Sequence, residues 1–219
     1  MSDELKTCVL KTHHSSPITH YSSLFIVMIS LIIELQRLKR LDRTGWVLRG
    51  QPAGAESVAA HSYGVALTAM LLADEVRGRG VEVDVERVMR LALLHDLVEV
   101  RTGDMPRTAV KFYSAEVRQR AERAAFDEMT GELDAARRAS YNAWHEDYER
   151  RASVEARLVK AADIIDLLAQ ALIFERAGAR GLDEFWEGAS ERDFGLEGAA
   201  REVVSEVVNA LLEERAKMK

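Results

Sequence analysis

Residues 95–104 read His95-Asp96-Leu97-Val98-Glu99-Val100-Arg101-Thr102-Gly103-Asp104. This stretch places one imidazole and three carboxylates at the end of an otherwise apolar helical segment. Burying so many ionisable groups is costly unless a charge of opposite sign compensates them. A divalent metal ion does so, because neutral imidazole nitrogen and carboxylate oxygen are both ligands for such ions. The stretch therefore predicts a metal site.

Two other helical segments offer polar side chains to the same core. His61 lies on the apolar face of an earlier segment and Asp163 on that of a later one. Neighbouring helical residues point about 100° apart, so the ion would lie near the axis of a bundle, with ligands from several helices. Asp166 and His145 are the alternatives to Asp163. The predicted metal ligands are His61, His95, Asp96 and Asp163.

Each of these features alone has another explanation. His61 alone is typical of a hydrogen-bonded core histidine, and a His-Asp dipeptide occurs often by chance. Asp163 alone could be a buried salt-bridge partner of Lys160 or Arg157. The set favours a metal, because four inward polar groups on three helices must all find partners in one small core.

The order and spacing of these residues resemble the HD-domain metal-dependent phosphohydrolases. The resemblance covers roughly residues 25 to 180 and implies an all-α, single-domain helical bundle with one divalent metal ion. Within this family, the motifs resemble most closely the branch that contains bacterial 5′-deoxynucleotidases and their archaeal and eukaryotic relatives. The matching motifs are Glu56-Ser-Val-x-x-His61, His95-Asp-x-x-Glu99, Thr102-Gly103-Asp104-Met-Pro106 with Val110-Lys111-Phe112 after it, and Lys160-x-x-Asp163.

Two carboxylates are the predicted catalytic residues. Glu99 lies one turn beyond His95, where it could orient or deprotonate a water molecule. Asp104 follows a glycine, which lets the chain fold back to the site, and it could protonate the leaving alkoxide. The resemblance implies the same two catalytic positions. The alternatives are a surface Glu99 paired with Arg101 or Arg107, and an Asp104 that only forms a turn.

The segment around Trp46 resembles the entry loop of the family, in which a tryptophan and an arginine contact the nucleotide. Trp46 is predicted to pack against sugar or base, with a core tryptophan as the alternative. Gly45 stands where the bacterial enzymes have arginine, so the polar contact falls to Arg43, Arg49 or neither. Lys111 is a further phosphate-binding candidate, with a surface lysine as the alternative.

Length and composition predict one globular domain over residues 22–219, since the chain has 219 residues, 47% hydrophobic and 30% charged. Cys8 is the only cysteine, which excludes an intramolecular disulfide and favours the cytoplasm. A net charge of -6 argues against a nucleic-acid polymer as partner. A small anionic substrate stays compatible with this charge.

The apolar run at residues 24–33 is shorter than the ~20 residues needed to span a bilayer, so no membrane segment is expected. It also has no clear cleavage site for a signal peptide. Residues 1–21 are polar and aperiodic and are predicted to be a flexible tail. The apolar helices and the family resemblance favour a homodimer.

The remaining periodicity predicts helices and no sheet. The expected helices span about 22–40, 57–77, 84–100, 114–131, 133–150, 153–177 and 197–216, with a short one around residues 185–186.

The resemblance and the metal site together predict a 5′-nucleotidase that acts on (deoxy)nucleoside monophosphates. One alternative is an HD-type phosphodiesterase or nucleotide polyphosphate hydrolase, which would need a longer and more basic cleft. Another is a non-catalytic helical scaffold or ligand-binding protein. That alternative predicts losses among His61, Glu99, Asp104 and Asp163, and all four are present.

Overall fold

A computed structural model describes residues 18–218, with side chains from residue 25 onward. Within that range the chain forms helices and one isolated bridge between Asp42 and Ser57, and no strand. The predicted all-α single domain is confirmed. The helices are α1 (Ile18–Leu35), α2 (Thr44–Val47), α3 (Val58–Gly78), α4 (Val85–Leu94), α5 (Glu99–Thr102), α6 (Arg107–Val110), α7 (Ala115–Thr130), α8 (Ala135–Arg150), α9 (Val154–Arg176), α10 (Asp183–Trp186) and α11 (Gly198–Ala216), with a 3-10 turn at Gln36–Lys39.

Helices α3, α4 and α9 pack together around the main core. Ser57 begins α3 by accepting a hydrogen bond from the Ala60 amide, and Ser153 begins α9 in the same way. Small buried residues such as Ala69 and Ala162 allow the helix backbones to lie close together. This close packing brings the polar side chains of α3 and α9 within reach of one another.

The predicted helix over 84–100 is divided in two. Helix α4 ends at Leu94, and α5 begins at Glu99. Between them the Leu97 amide bonds to the Leu94 carbonyl at 3.2 Å, and the Glu99 amide to the Asp96 carbonyl at 3.1 Å. These tight turns replace the regular helix, in which adjacent side chains would diverge by about 100°. The break lets His95 and Asp96 contribute to one site.

A second, smaller hydrophobic core packs against the turn between α4 and α5. Leu97 and Val98 pack with Leu38, Val58 and Phe126 in it. Burial of these side chains anchors the backbone of the 95–98 turn. The polar side chains of the same turn therefore face the opposite side, towards α3 and α9.

The amino-terminal boundary differs from the prediction. Helix α1 begins at Ile18, before the expected residue 22, and ends at Leu35 with a 3-10 turn after it. The rest of the predicted tail, residues 1–17, lies outside the described residues. None of the helices in the described part of the chain is both long and apolar enough to cross a bilayer.

Candidate metal centre and active site

Three buried side chains from different elements converge at the centre of the bundle. His61 comes from α3, His95 from the end of α4, and Asp163 from α9. Each offers one nitrogen or oxygen atom, and these atoms lie within 4.8 Å of one another. His61 Nε2 is 3.2 Å from Asp163 Oδ1. The group has the donor types and the spacing that a metal ion requires.

Asp96 completes the predicted set. Its Oδ2 lies 3.2 Å from His95 Nε2 and 3.7 Å from His61 Nε2. Burial favours the neutral carboxyl, but the charges of His95 and Arg43 outweigh it and lower the pKa of Asp96. All four predicted ligands thus lie together around one point.

The hydrogen bonds of the two histidines fit a metal ion. His95 Nδ1 lies 2.7 Å from the Ala92 carbonyl and donates to it. His95 Nε2 is buried and has no hydrogen-bond partner among the described residues. His61 Nδ1 lies 2.8 Å from Asp166 Oδ2, which leaves Nε2 directed at the cluster. A metal-ligating histidine is held in this way, with its other nitrogen bonded to a protein oxygen.

Asp166 therefore contacts His61 from outside the cluster, while Asp163 faces its Nε2. Asp166 approaches α3 so closely that a Cβ atom at Gly64 would collide with its carboxylate. Glycine at position 64 is what makes this contact fit. His145, the other alternative ligand, is stacked on Phe126 with ring centroids 4.2 Å apart, in the second core.

Asp163 interacts with cations through both oxygens. Lys160 Nζ lies 2.6 Å from Oδ2, so the salt bridge considered from the sequence forms as well. Burial raises the pKa of Asp163, but Lys160 and His61 outweigh it and hold the pKa well below its usual range. Burial lowers the pKa of His61, yet its hydrogen bonds to Asp163 and Asp166 raise it to about 10. Lys160 and His61 thus stabilise the negative charge of Asp163.

Glu99 lies beside the cluster on the wall of the cleft. Its Oε2 is buried without a hydrogen-bond partner among the described residues. Burial and the negative charges of Asp96 and Asp104 raise the pKa of Glu99 to about 9. The alternative of a surface pair with Arg101 does not apply, because Arg101 Nε donates to Glu34 Oε1 at 2.8 Å.

Asp104 is tied to the start of α2. Gly103 has a φ of +77°, which turns the chain back towards the cleft. Arg43 Nη1 donates to Asp104 Oδ1 at 3.2 Å and to Asp96 Oδ2 at 3.3 Å. The Thr44 amide donates to Asp104 Oδ2, and the Thr44 hydroxyl donates to the Asp104 carbonyl at 2.9 Å. Asp104 thus links the metal cluster to the segment around Trp46.

Trp46 lies in the core. It is 1% exposed, its Nε1 donates to Glu56 Oε2, and its ring packs against Phe174 and Phe185. This placement fits the core-tryptophan alternative. Trp46 is also among the residues that line the cleft beside His95 and Asp96, and its packing against sugar or base stays a prediction. The apolar helices α9 and α10 cover the indole, and the sequence around Trp46 does not show this contact.

Of the other predicted substrate-binding residues, Arg43 and Arg49 line a cleft of about 490 Å³. Arg49 Nε donates to Glu184 Oε1, and its guanidinium lies 5.3 Å from the centre of the Phe185 ring. The structure does not bring Lys111 to this cleft. Lys111 is exposed just after α6, with Nζ 5.1 Å from the centre of the Phe112 ring, which fits the surface-lysine alternative; the phosphate contact of Lys111 stays a prediction.

Several cleft residues are absent from the sequence-based prediction of the site. They come from α6 to α9 and from the segments after α8 and α10, and apart from Lys160 none of them lies in a motif that matches the family. They are Arg107, Arg118, Tyr148, Arg151, Lys160 and Arg192.

The comparisons with known proteins agree with this geometry. A family model described as "HD domain" matches residues 35–192. A zebrafish (Danio rerio) protein named 5′-deoxynucleotidase HDDC2 is 41% identical over 142 residues, 64% of this chain and 65% of the relative. The match therefore spans slightly less than two thirds of that relative. A Xenopus laevis protein of the same name is 33% identical over 82% of this chain and 83% of its own.

Among solved structures, a conserved hypothetical protein from Pyrococcus furiosus is 36% identical to this chain. The superposition has a TM-score of 0.72 and covers 84% of this chain and 99% of the archaeal one. Similarity of sequence and of fold thus extends over the helices that carry the candidate metal ligands and line the cleft. The matched family model covers more than half of the chain, and the chain therefore belongs to the HD-domain family.

Proposed function

We propose that this chain is a metal-dependent phosphohydrolase that releases phosphate from (deoxy)nucleoside 5′-monophosphates. The observation that supports it most is the convergence of the four predicted ligands beside a buried carboxylate with an unpartnered oxygen. The names of the zebrafish and frog relatives support the choice of substrate class. The cleft of about 490 Å³ has the size of sites that take small ligands.

One divalent cation would be held by the imidazoles of His61 and His95 and the carboxylates of Asp96 and Asp163. Bound there, it would supply Lewis-acid chemistry towards a phosphate ester. The chain holds the donor atoms ready, because Ala92 and Asp166 orient the two imidazoles.

Glu99 and Asp104 have different roles in this proposal. Glu99 accepts a proton from the attacking water, since its Oε2 faces no other partner among the described residues. With a divalent cation held by the neighbouring ligands, the pKa of Glu99 would be lowered and its carboxylate would stay ionised for this role. Both carboxylate oxygens of Asp104 already accept hydrogen bonds, from Arg43 and Thr44. We keep Asp104 as the second proposed catalytic carboxylate, and the same bonds suit it to positioning Arg43 at the cleft.

Arg43 and Arg49 are the proposed substrate-binding residues of the amino-terminal wall. Both line the cleft, and Arg43 also contacts a proposed metal ligand, Asp96. A nucleotide phosphate close to Asp96 and Asp104 would be repelled without such a cation. A nucleic-acid polymer is not proposed as partner, because the net charge of the chain is -6.

The function is tested by phosphate release from a panel of ribo- and deoxynucleoside 5′-monophosphates after loading with individual divalent metals. We expect turnover that is lost on chelation and in Asp163→Ala. A phosphodiester and a nucleoside triphosphate in the same panel test the alternative hydrolases. Stoichiometric metal without hydrolysis of any substrate would support the non-catalytic alternative.

We also propose that the protein is a cytoplasmic homodimer that associates through α1. Its large apolar side chains are between 44% and 65% exposed, which is typical of a surface that another protein covers. Light scattering tests this, with a dimer expected for the unmodified chain and a monomer for Ile29→Glu. The exposed residues are Phe25, Ile26, Met28, Ile29, Ile32 and Ile33.

A further inference from the structure

Three arginines that line the cleft form no ion pair within the described side chains. Arg107, Arg151 and Arg192 line the same cavity as the metal cluster. None of them forms an ion pair or a side-chain hydrogen bond within residues 25–218. The amino-terminal wall differs, because Arg43 pairs with Asp96 and Asp104, and Arg49 pairs with Glu184.

The guanidinium groups of Arg107 and Arg151 are close enough to Arg192 to repel it. Arg192 is half-buried, and this burial lowers its pKa. The positive charges of Arg107 and Arg151 lower the pKa of Arg192 further, while the negative charge of Asp163 raises it. An anion placed between these arginines would relieve both the repulsion and the cost of burial.

The backbone of Arg151 gives an independent indication. Arg151 follows α8 with a φ of +51° and a ψ of +42°, in the left-handed region. Every other described residue with positive φ is a glycine. Glycine is the usual residue at such a helix end, because a side chain there strains the backbone. Strained positions cluster at functional sites, and here the strain accompanies a guanidinium that lines the cleft.

We propose that Arg107, Arg151 and Arg192 form an anion subsite that binds a phosphate group beside the metal cluster. Guanidinium groups suit this ligand, because each can donate two parallel hydrogen bonds to phosphate oxygens. Asp163 contributes to the metal cluster and also acts on Arg192, so the subsite adjoins the proposed reaction centre. The assignment of this phosphate to a nucleotide rests on the proposed function. Binding of a phosphate group by the three arginines is independent of the proposed function.

Binding of inorganic phosphate to the metal-loaded full chain tests the subsite without reference to turnover. Isothermal titration would compare the unmodified protein with Arg192→Ala and Arg151→Gly. Arg151→Gly removes the guanidinium and fits the backbone, so the variant should fold at least as well as the parent. We expect phosphate affinity to fall about tenfold or more in each variant, with unchanged metal content.

Arg138→Ala is the matched control, because it removes an exposed arginine of α8 that does not line the cleft. Its phosphate affinity should equal that of the parent. Unchanged affinity in both arginine variants would overturn the subsite, as would absence of phosphate binding to the parent.

A second comparison identifies which phosphate the subsite takes. If it holds the phosphate that is cleaved, Arg192→Ala weakens binding of a nucleoside 5′-monophosphate and a 5′-diphosphate by the same factor. If it holds a second phosphate, only the diphosphate is weakened. Either result supports the subsite, and no effect on either nucleotide overturns it. Weakened phosphate binding in a protein that hydrolyses no nucleotide would reject the proposed function and leave the subsite intact.

Discussion

Asp166 Oδ2 lies 2.8 Å from Nδ1 of His61, while Asp163 Oδ1 lies 3.2 Å from Nε2 of the same ring. The two aspartates are one turn apart on α9, so a single helix holds one imidazole from both of its nitrogens. Asp163 thereby faces the cluster, and Asp166 determines how the ring is oriented. Asp166 is a positioning residue for the proposed metal site.

Asp166→Ala is expected to weaken metal affinity by about 10- to 100-fold while the fold is kept, because His61 loses the bond that orients it. Asp166→Asn should weaken it less, since the amide oxygen can still accept the hydrogen bond. Competition with a chelator of known affinity measures both values. Gly64→Ala should act in the same direction by displacing Asp166. Metal affinity that is unchanged in Asp166→Ala would contradict the positioning role.

Glu99→Gln is expected to lower kcat by about 100- to 10,000-fold, because the amide cannot accept the proton of the attacking water. Metal content should equal that of the parent, since Glu99 lies beside the cluster and is not one of its proposed ligands. Elemental analysis and phosphate release give the two readouts. Glu128→Gln, which changes an exposed carboxylate, is the control. Loss of the ion in Glu99→Gln would make Glu99 a ligand.

Trp46→Ala is expected to destabilise the protein by about 3 to 5 kcal/mol, because it removes a large buried aromatic side chain. Trp46→Phe keeps much of the packing but removes the indole N–H that donates to Glu56. It should cost about 1 to 3 kcal/mol, because the buried carboxylate of Glu56 loses its donor. Urea denaturation at neutral pH measures both. A Trp46→Ala protein with parental stability and a raised KM would instead favour the stacking role.

His145 is expected to make folding stability depend on pH. Burial beside Phe126, together with the charge of Arg123, lowers the pKa of His145 to about 4, although Asp127 and Glu146 oppose this. The unfolded chain therefore binds one more proton than the folded chain between about pH 6.5 and pH 4. The stabilisation by neutral His145 is complete above pH 6.5 and is lost as the pH falls through 4. The shift corresponds to about 3 kcal/mol.

His145→Phe keeps an aromatic ring on Phe126 and removes this titration. Denaturation of the metal-free protein at pH 7.5 and pH 4.5 should show a smaller loss of stability in the variant than in the parent. Equal losses in the two proteins would show that His145 is not responsible.

The sequence by itself determined the helical class, most helix boundaries and the four candidate metal ligands that the fold brings together. Those inferences depend on local properties: apolar residues at helical spacing, serine and aspartate caps, and polar side chains on apolar faces. A serine or aspartate side chain accepts a backbone hydrogen bond at the start of five helices, namely Ser57, Asp84, Ser114, Asp134 and Ser153. The family resemblance is confirmed by the match over residues 35–192.

Only the tertiary structure decided which aspartate of α9 contacts which nitrogen of His61. Asp163 and Asp166 both lie towards the core, and only the packing of α9 against α3 assigns one to Nε2 and the other to Nδ1 of His61. The burial of Trp46 and the exposure of Lys111 also depend on how the surrounding helices pack. The proposed anion subsite of Arg107, Arg151 and Arg192 combines residues from distant parts of the chain. Charges so far apart in sequence interact only after the fold has brought them to one cleft, because electrostatic interaction depends on distance in space.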